Sequence, residues 1–177
     1  MRRRHLLLLL LLVLALGMFW SFFYWRDHRF DGVIAAAGHR YQVDPALVKA
    51  VVWQESRFNP DARGLAGELG LMQIRETAAL EWASAEHLNA FDHSACLDPA
   101  TNTLAGTWYL HKLLQRYPHA DNPVPYALAD YNAGRGNVLK WRNGAAATNS
   151  AAFMSQIGFP STRAYILAIV NRCQHYR

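Results

Sequence analysis

A chain of 177 residues, 52% hydrophobic and 18% charged, has room for one hydrophobic core and one site, and is too short for two domains of ordinary size. Its net charge of +5 is concentrated at one end: setting aside Arg2, Arg3 and Arg4 leaves 15 of the 18 basic residues against 13 acidic ones. No Lys/Arg stripe remains in the body of the chain, which argues against nucleic acid as a partner despite a pI near 9.5.

The chain opens on Met1-Arg2-Arg3-Arg4-His5 and continues in an uncharged, leucine-rich run from Leu6 to Trp25. About 20 residues at ~1.5 Å rise match a hydrocarbon core of ~30 Å, so residues 6–25 can cross a bilayer as a helix. The arginines hold the start in the cytoplasm, and the aromatic cluster from Phe19 to Trp25 suits the far interface. A cleaved signal peptide would account for the arginines equally well, but the run exceeds a usual signal core and no small-x-small motif precedes Arg26. The expectation is an uncleaved signal-anchor over residues 1–25, with residues 26–177 forming one domain outside the cytoplasm.

Phe30, Val33, Ile34 and Ala37 predict a short helix between Asp27 and Tyr41. Asp44-Pro45 then supplies a cap and a first-turn proline, opening a helix whose Leu47, Val48, Val51, Val52 and Glu55 share one face. Asn59-Pro60 is expected to stop it, and residues 61–69 read as a loop around Gly64 and Gly67. Helical spacing resumes from Leu71 to Ala85 and residues 86–97 are irregular. Asp98-Pro99 opens another helix, carrying Leu104, Trp108, Leu110, Leu113 and Leu114 and ended by Pro118. A short helix over Tyr126 to Tyr131 is expected to break at Asn132, a turn follows from Val138 to Trp141, and residues 143–150 read as a flexible loop. Phe159-Pro160 leads into a last helix with Tyr165, Ile166, Ile169, Val170 and Cys173. With no alternating strand run, the fold class is all-α. Cys96 and Cys173 match no metal or redox spacing and are either a long-loop disulfide or two buried thiols. The eight scattered histidines carry no metal pattern, so neither metal nor cofactor is expected.

Glu55 is the residue to weigh for chemistry. A carboxyl on an apolar helix face must find a cation, reach solvent, or keep its proton because desolvation penalises the anion. Lys49 and Arg57 are the cations within reach, and an ion pair with either would make Glu55 structural; a retained proton would make it a general acid.

Four ordered segments bear on that choice: Glu55-Ser56-x-Phe58-Asn59-Pro60, Gly70-Leu71-Met72-Gln73, Asn102-x-x-x-Gly106-x-x-Tyr109-Leu110 and Ala129-Asp130-Tyr131-Asn132-Ala133-Gly134. In order and spacing the chain resembles the soluble-type lytic transglycosylases from about Val43 to Val170. The resemblance implies a goose-lysozyme-like helical domain, placed by the anchor in the bacterial periplasm on the inner membrane. It implies cleavage of the β-1,4 bond between N-acetylmuramic acid and N-acetylglucosamine in peptidoglycan glycan strands. Glu55 would first act as acid, then as base on the muramoyl 6-hydroxyl, closing a 1,6-anhydro ring. It further implies saccharide contacts from Gln73, Met72 (a cleft floor), Tyr131, Asn132 and Tyr165, the last able to hydrogen-bond the Glu55 carboxyl. Ser56 and Glu68 are possible auxiliaries. The chain departs from the family pattern at Gly64, where a Ser is common, at Glu68, where the pattern has Ala, and at Glu76, where it has Pro. The rival readings are a muramidase of the same fold that hydrolyses with water, and a non-catalytic peptidoglycan-binding envelope protein.

Overall fold

The computed structural model describes residues 2–177. Helix α1 (Arg2–His28) is followed by α2 (Asp31–Arg40), α3 (Pro45–Ser56), α4 (Glu76–Ala85), α5 (Pro99–Gln115), α6 (Val124–Ala133), α7 (Arg135–Trp141), α8 (Ser150–Gln156) and α9 (Pro160–Tyr176). Among the described residues there is no strand, only isolated bridges pairing Leu69 with Arg63 and with Ile74.

Helix α3 is the hub. Asp44 accepts from the Ala46 N–H at 2.9 Å with Pro45 in the first turn, as the sequence predicts. From Ala46 to Val52 every residue is buried, so neighbours enclose the helix on all sides rather than along one stripe. It packs chiefly on α9 and also on α2, while α5 bridges α2, α4 and α6. The one charge in this run, Lys49, reaches Asp31 at 2.6 Å. The helix ends one turn before Asn59-Pro60, because Arg57 (φ 52°) and Phe58 (φ 62°) take left-handed conformations and turn the chain out.

The structure corrects four expectations, the first being the turn from Val138 to Trp141, which is the second half of helix α7 (Arg135–Trp141). The segment from Leu71 does not begin a helix; α4 starts at Glu76. Residues 69–74 form a tight turn, closed by reciprocal Leu69 and Ile74 backbone bonds of 3.1 and 3.0 Å, with Gln73 at φ 49°. Leu71, Met72 and Ile74 are buried because this turn is pressed against the core, not because they share a helical face. Helix α6 is also longer than expected: it runs through Asn132, and the break falls at Gly134. Residues 143–150 are not a free loop, since they contain a short 3-10 turn whose Ala146 is buried and accepts from the Tyr126 hydroxyl at 2.9 Å. Both cysteines are buried free thiols, and burial raises Cys96 to about 11, where it is inert.

Helix α1 is the one helix among the described residues long and apolar enough to cross a membrane, and its apolar window has no buried residue. Its end is tied to the domain by Arg29, which donates to the Phe58 carbonyl at the close of α3.

Candidate active site

Glu55 lies in the last turn of α3, where the enclosed helix emerges into a cleft of about 310 Å³. Neither cation that could have made it structural reaches it. Lys49 is paired with Asp31, and the Arg57 guanidinium stacks 3.4 Å from the centre of the Trp53 ring. Its partner is instead the Tyr165 hydroxyl of α9, which donates to Glu55 Oε1 at 2.5 Å. Burial pushes the Glu55 carboxyl up to about 7; the Tyr165 bond opposes that shift and the nearby Glu68 charge adds to it. Near neutral pH such a group populates both protonation states, the condition for one residue to give a proton and then take one.

Two phenols frame this carboxyl. Tyr165 and Tyr131 are both pushed well above 10, first by burial and then by the Glu55 charge, so both remain donors. Tyr131 donates to the Met72 carbonyl at 2.7 Å and packs on Tyr109, ring centres 5.6 Å apart, linking α6 and α5 across the 69–74 turn.

Gln73, Tyr131, Asn132 and Glu68 line the cleft with Glu55. Gln73 spends its amide N–H groups on the carbonyls of Ala62 (3.1 Å) and Gly70 (3.0 Å), which leaves Oε1 as the free end. Asn132 accepts from Thr162 at 2.8 Å. Partial burial works against the Glu68 charge, but backbone N–H groups and Arg75 outweigh it and hold the carboxyl below its ordinary value. Its Oε1 accepts from Arg75 Nε at 2.9 Å and its Oε2 from the Ala66 N–H at 2.9 Å.

Three expected site residues stand elsewhere. Met72 is fully buried beneath the cleft rather than forming its floor, because α5 offers Gly106 as a seat: a Cβ there would stand 2.8 Å from the Met72 Cβ. Tyr165 does not line the cleft and stands behind Glu55. Ser56 turns its hydroxyl back to the Val52 carbonyl at 3.1 Å.

The sequence reading missed what holds the turn. Fully buried Asn102 on α5 accepts from the Met72 N–H at 2.7 Å and donates to the carbonyls of Leu69 (2.8 Å) and Cys96 (2.6 Å). An Asn one helical turn before Gly106 on an apolar helix was the available signal, since a buried amide needs backbone partners and a Gly marks a close approach. Asp130 on α6 is a second buried polar residue of this kind. It is buried under the cleft between Arg116 (2.6 Å) and the Tyr117 hydroxyl (2.7 Å), fixing α6 to the end of α5.

Together these features define a lysozyme-like helical domain with one half-buried glutamic acid, its carboxyl raised to about 7, in an open cleft. The chain belongs to the transglycosylase SLT domain family, whose profile matches residues 32–154. It is 31% identical over 138 residues to the soluble lytic murein transglycosylase of Escherichia coli (strain K12), covering 77% of this chain and 21% of that protein. It is 37% identical over 121 residues to membrane-bound lytic murein transglycosylase C of Shigella sonnei (strain Ss046), covering 65% of this chain and 34% of that one. The crystal structure of the 70 kDa soluble lytic transglycosylase from Escherichia coli superposes with a TM-score of 0.72 at 28% identity, over 82% of this chain and 24% of that one. The chain thus spans between a fifth and a third of the length of these relatives.

Proposed function

We propose that the protein is a peptidoglycan lytic transglycosylase that cleaves the β-1,4 bond between N-acetylmuramic acid and N-acetylglucosamine. The observation that carries this reading is Glu55, half-buried in the cleft, free of any cation and raised to about 7. In its protonated form Glu55 gives its proton to the glycosidic oxygen as the bond from C1 breaks. The resulting carboxylate then takes the proton of the muramoyl 6-hydroxyl, whose oxygen bonds to C1 and closes the 1,6-anhydro ring. One residue returns to its starting state and no water is consumed. Gln73, Tyr131 and Asn132 bind the strand along the cleft. Helix α1 anchors the chain, with the domain in the periplasm; the membrane-bound relative and the apolar helix support that placement.

Glu68 favours one rival, because a second ionised carboxylate in the same cleft is what a water-using muramidase requires. Mass spectrometry of fragments released from purified sacculi separates the two. Anhydro-muropeptides are expected; reducing ends heavier by one water would replace transglycosylation by hydrolysis.

Tyr165→Phe tests the hydrogen bond. The phenol favours the Glu55 anion, so its removal should push the Glu55 pKa further up and move the alkaline limb of the pH–rate profile upward. The acid half of the cycle should slow roughly tenfold, because the carboxylate it leaves behind has lost its donor. An unmoved limb would show that the bond does not tune the acid.

A further inference from the structure

Positive charge collects where the end of α1 meets α3 and α9. The Arg57 guanidinium lies 3.4 Å from the centre of the Trp53 ring and that of Arg172, on α9, lies 3.9 Å from the same centre, which only opposite faces of one indole allow. Arg29 sits over the rings of Trp25 and Phe30, at 4.9 and 4.5 Å, and donates to the carbonyl of Phe58 beside Arg57. Burial, and then the charges of Arg172 and Arg26, hold Arg57 below its ordinary value, so these three cations stand within Coulomb range of one another. Among the described residues no carboxylate pairs with Arg29, Arg57 or Arg172, and Arg26 meets only Asp27, at 3.4 Å. The other acid at this junction, Asp31, is held by Lys49 at 2.6 Å and His28 at 2.7 Å. Four guanidiniums thus face one loosely engaged carboxylate, and stacking on aromatic rings holds them in place.

We infer that Arg26, Arg29, Arg57 and Arg172 bind the phosphate of an anionic phospholipid and dock the α3–α9 end of the domain on the bilayer surface. The site rests on the reading of α1 as a membrane anchor and adds to it a contact made by the folded domain. Arg26 directly follows the apolar run, and Trp20, Tyr24 and Trp25 are exposed on the last turns of α1, the residue types that favour the headgroup layer. The cluster therefore stands at headgroup depth. A guanidinium presents a planar fork of N–H groups that matches two phosphate oxygens. Arg57 commits one of its donors to the Trp53 carbonyl at 2.8 Å, and its other nitrogens point beyond the helix end. Because Trp53 already fixes both stacked side chains, little rotamer freedom is lost on binding. A zwitterionic headgroup carries the same phosphate but brings its own cation into the cluster, which disfavours it. Free phosphate lacks the acyl chains that would lie along the exposed apolar side of α1.

The test uses the full chain in uncharged detergent micelles, titrated with dihexanoyl phosphatidylglycerol, dihexanoyl phosphatidylcholine or inorganic phosphate, and counts retained adducts by native mass spectrometry. Wild type should hold phosphatidylglycerol about tenfold better than either other probe. Arg57→Gln with Arg172→Gln should abolish that preference, whereas Lys112→Gln with Lys140→Gln, which removes the same charge from elsewhere, should keep it. Should the arginine pair fail to fold, Arg26→Gln takes its place, with a loss of about threefold. Equal retention of the two lipids by wild type, an undiminished preference in the arginine variants, an equal loss in the lysine pair, or phosphate held as tightly as phosphatidylglycerol would each overturn the inference. The anchor is tested separately: carbonate release of the full chain from cell membranes, with the lipid preference intact, removes the anchor reading and keeps the headgroup site.

Discussion

Glu55→Gln is expected to cut release of anhydro-muropeptides by about a thousandfold or more while leaving a cooperatively folded protein that outlasts wild type at alkaline pH. The rate follows from a shared burden: acid–base assistance contributes roughly 10²–10⁴ in a single step, and here one carboxyl serves both halves of the reaction. The stability follows from linkage. The folded-state pKa of about 7 lies above the ordinary 4.5, because burial tolerates the neutral carboxyl and penalises the anion. The advantage of the neutral form is fully present below 4.5 and is lost as pH rises through about 7. Gln never ionises, so the variant and wild type should melt alike at pH 4 and diverge above neutrality. Water in the open cleft softens the penalty, and a gap of about 2 kcal/mol at pH 8 is the scale to expect. Melting curves of both proteins across that range are the measurement, and parallel curves would falsify the assignment of a raised pKa to Glu55.

The two possible fates of Glu55 could not be separated along the chain, because they depend on distant partners. Its position on an apolar helix face was legible. That Lys49 turns to Asp31, that Arg57 lies on Trp53, and that Tyr165 arrives from a helix 110 residues further on are products of packing. The membrane-length helix was legible for the opposite reason, since length and composition decide it without any tertiary contact. Gln73 shows a third case. Leu71, Met72 and Ile74 are apolar at spacings compatible with a helix, yet the same burial arises from a turn folded onto α5. Periodicity over so few residues does not distinguish the two. Asn132 is the mirror image: an Asn-Ala-Gly run reads as a break, but Thr162 engages the amide and the helix continues to Ala133.

Asn102→Ala is expected to destabilise the domain by roughly 3–5 kcal/mol, more than any surface change and comparable to losing a large core side chain. The amide is fully buried and its loss strands three backbone groups together: the Met72 N–H and the carbonyls of Leu69 and Cys96. Each unsatisfied buried group costs about 1–3 kcal/mol. Asn102→Asp should be little better, since it keeps the acceptor for Met72 but loses both donors and buries a charge. The same bonds hold the turn from which Gln73 reaches the cleft, so activity should fall even at temperatures where the variant remains folded. Thermal unfolding of the full chain, paired with product release well below the midpoint, measures both effects. A loss under 1 kcal/mol would mean that the reciprocal Leu69 and Ile74 bonds hold the turn unaided. A large loss would show that residues 70–73 and 102–106 act as one unit: Gly106 admits Met72, and Asn102 closes over the backbone on either side of it.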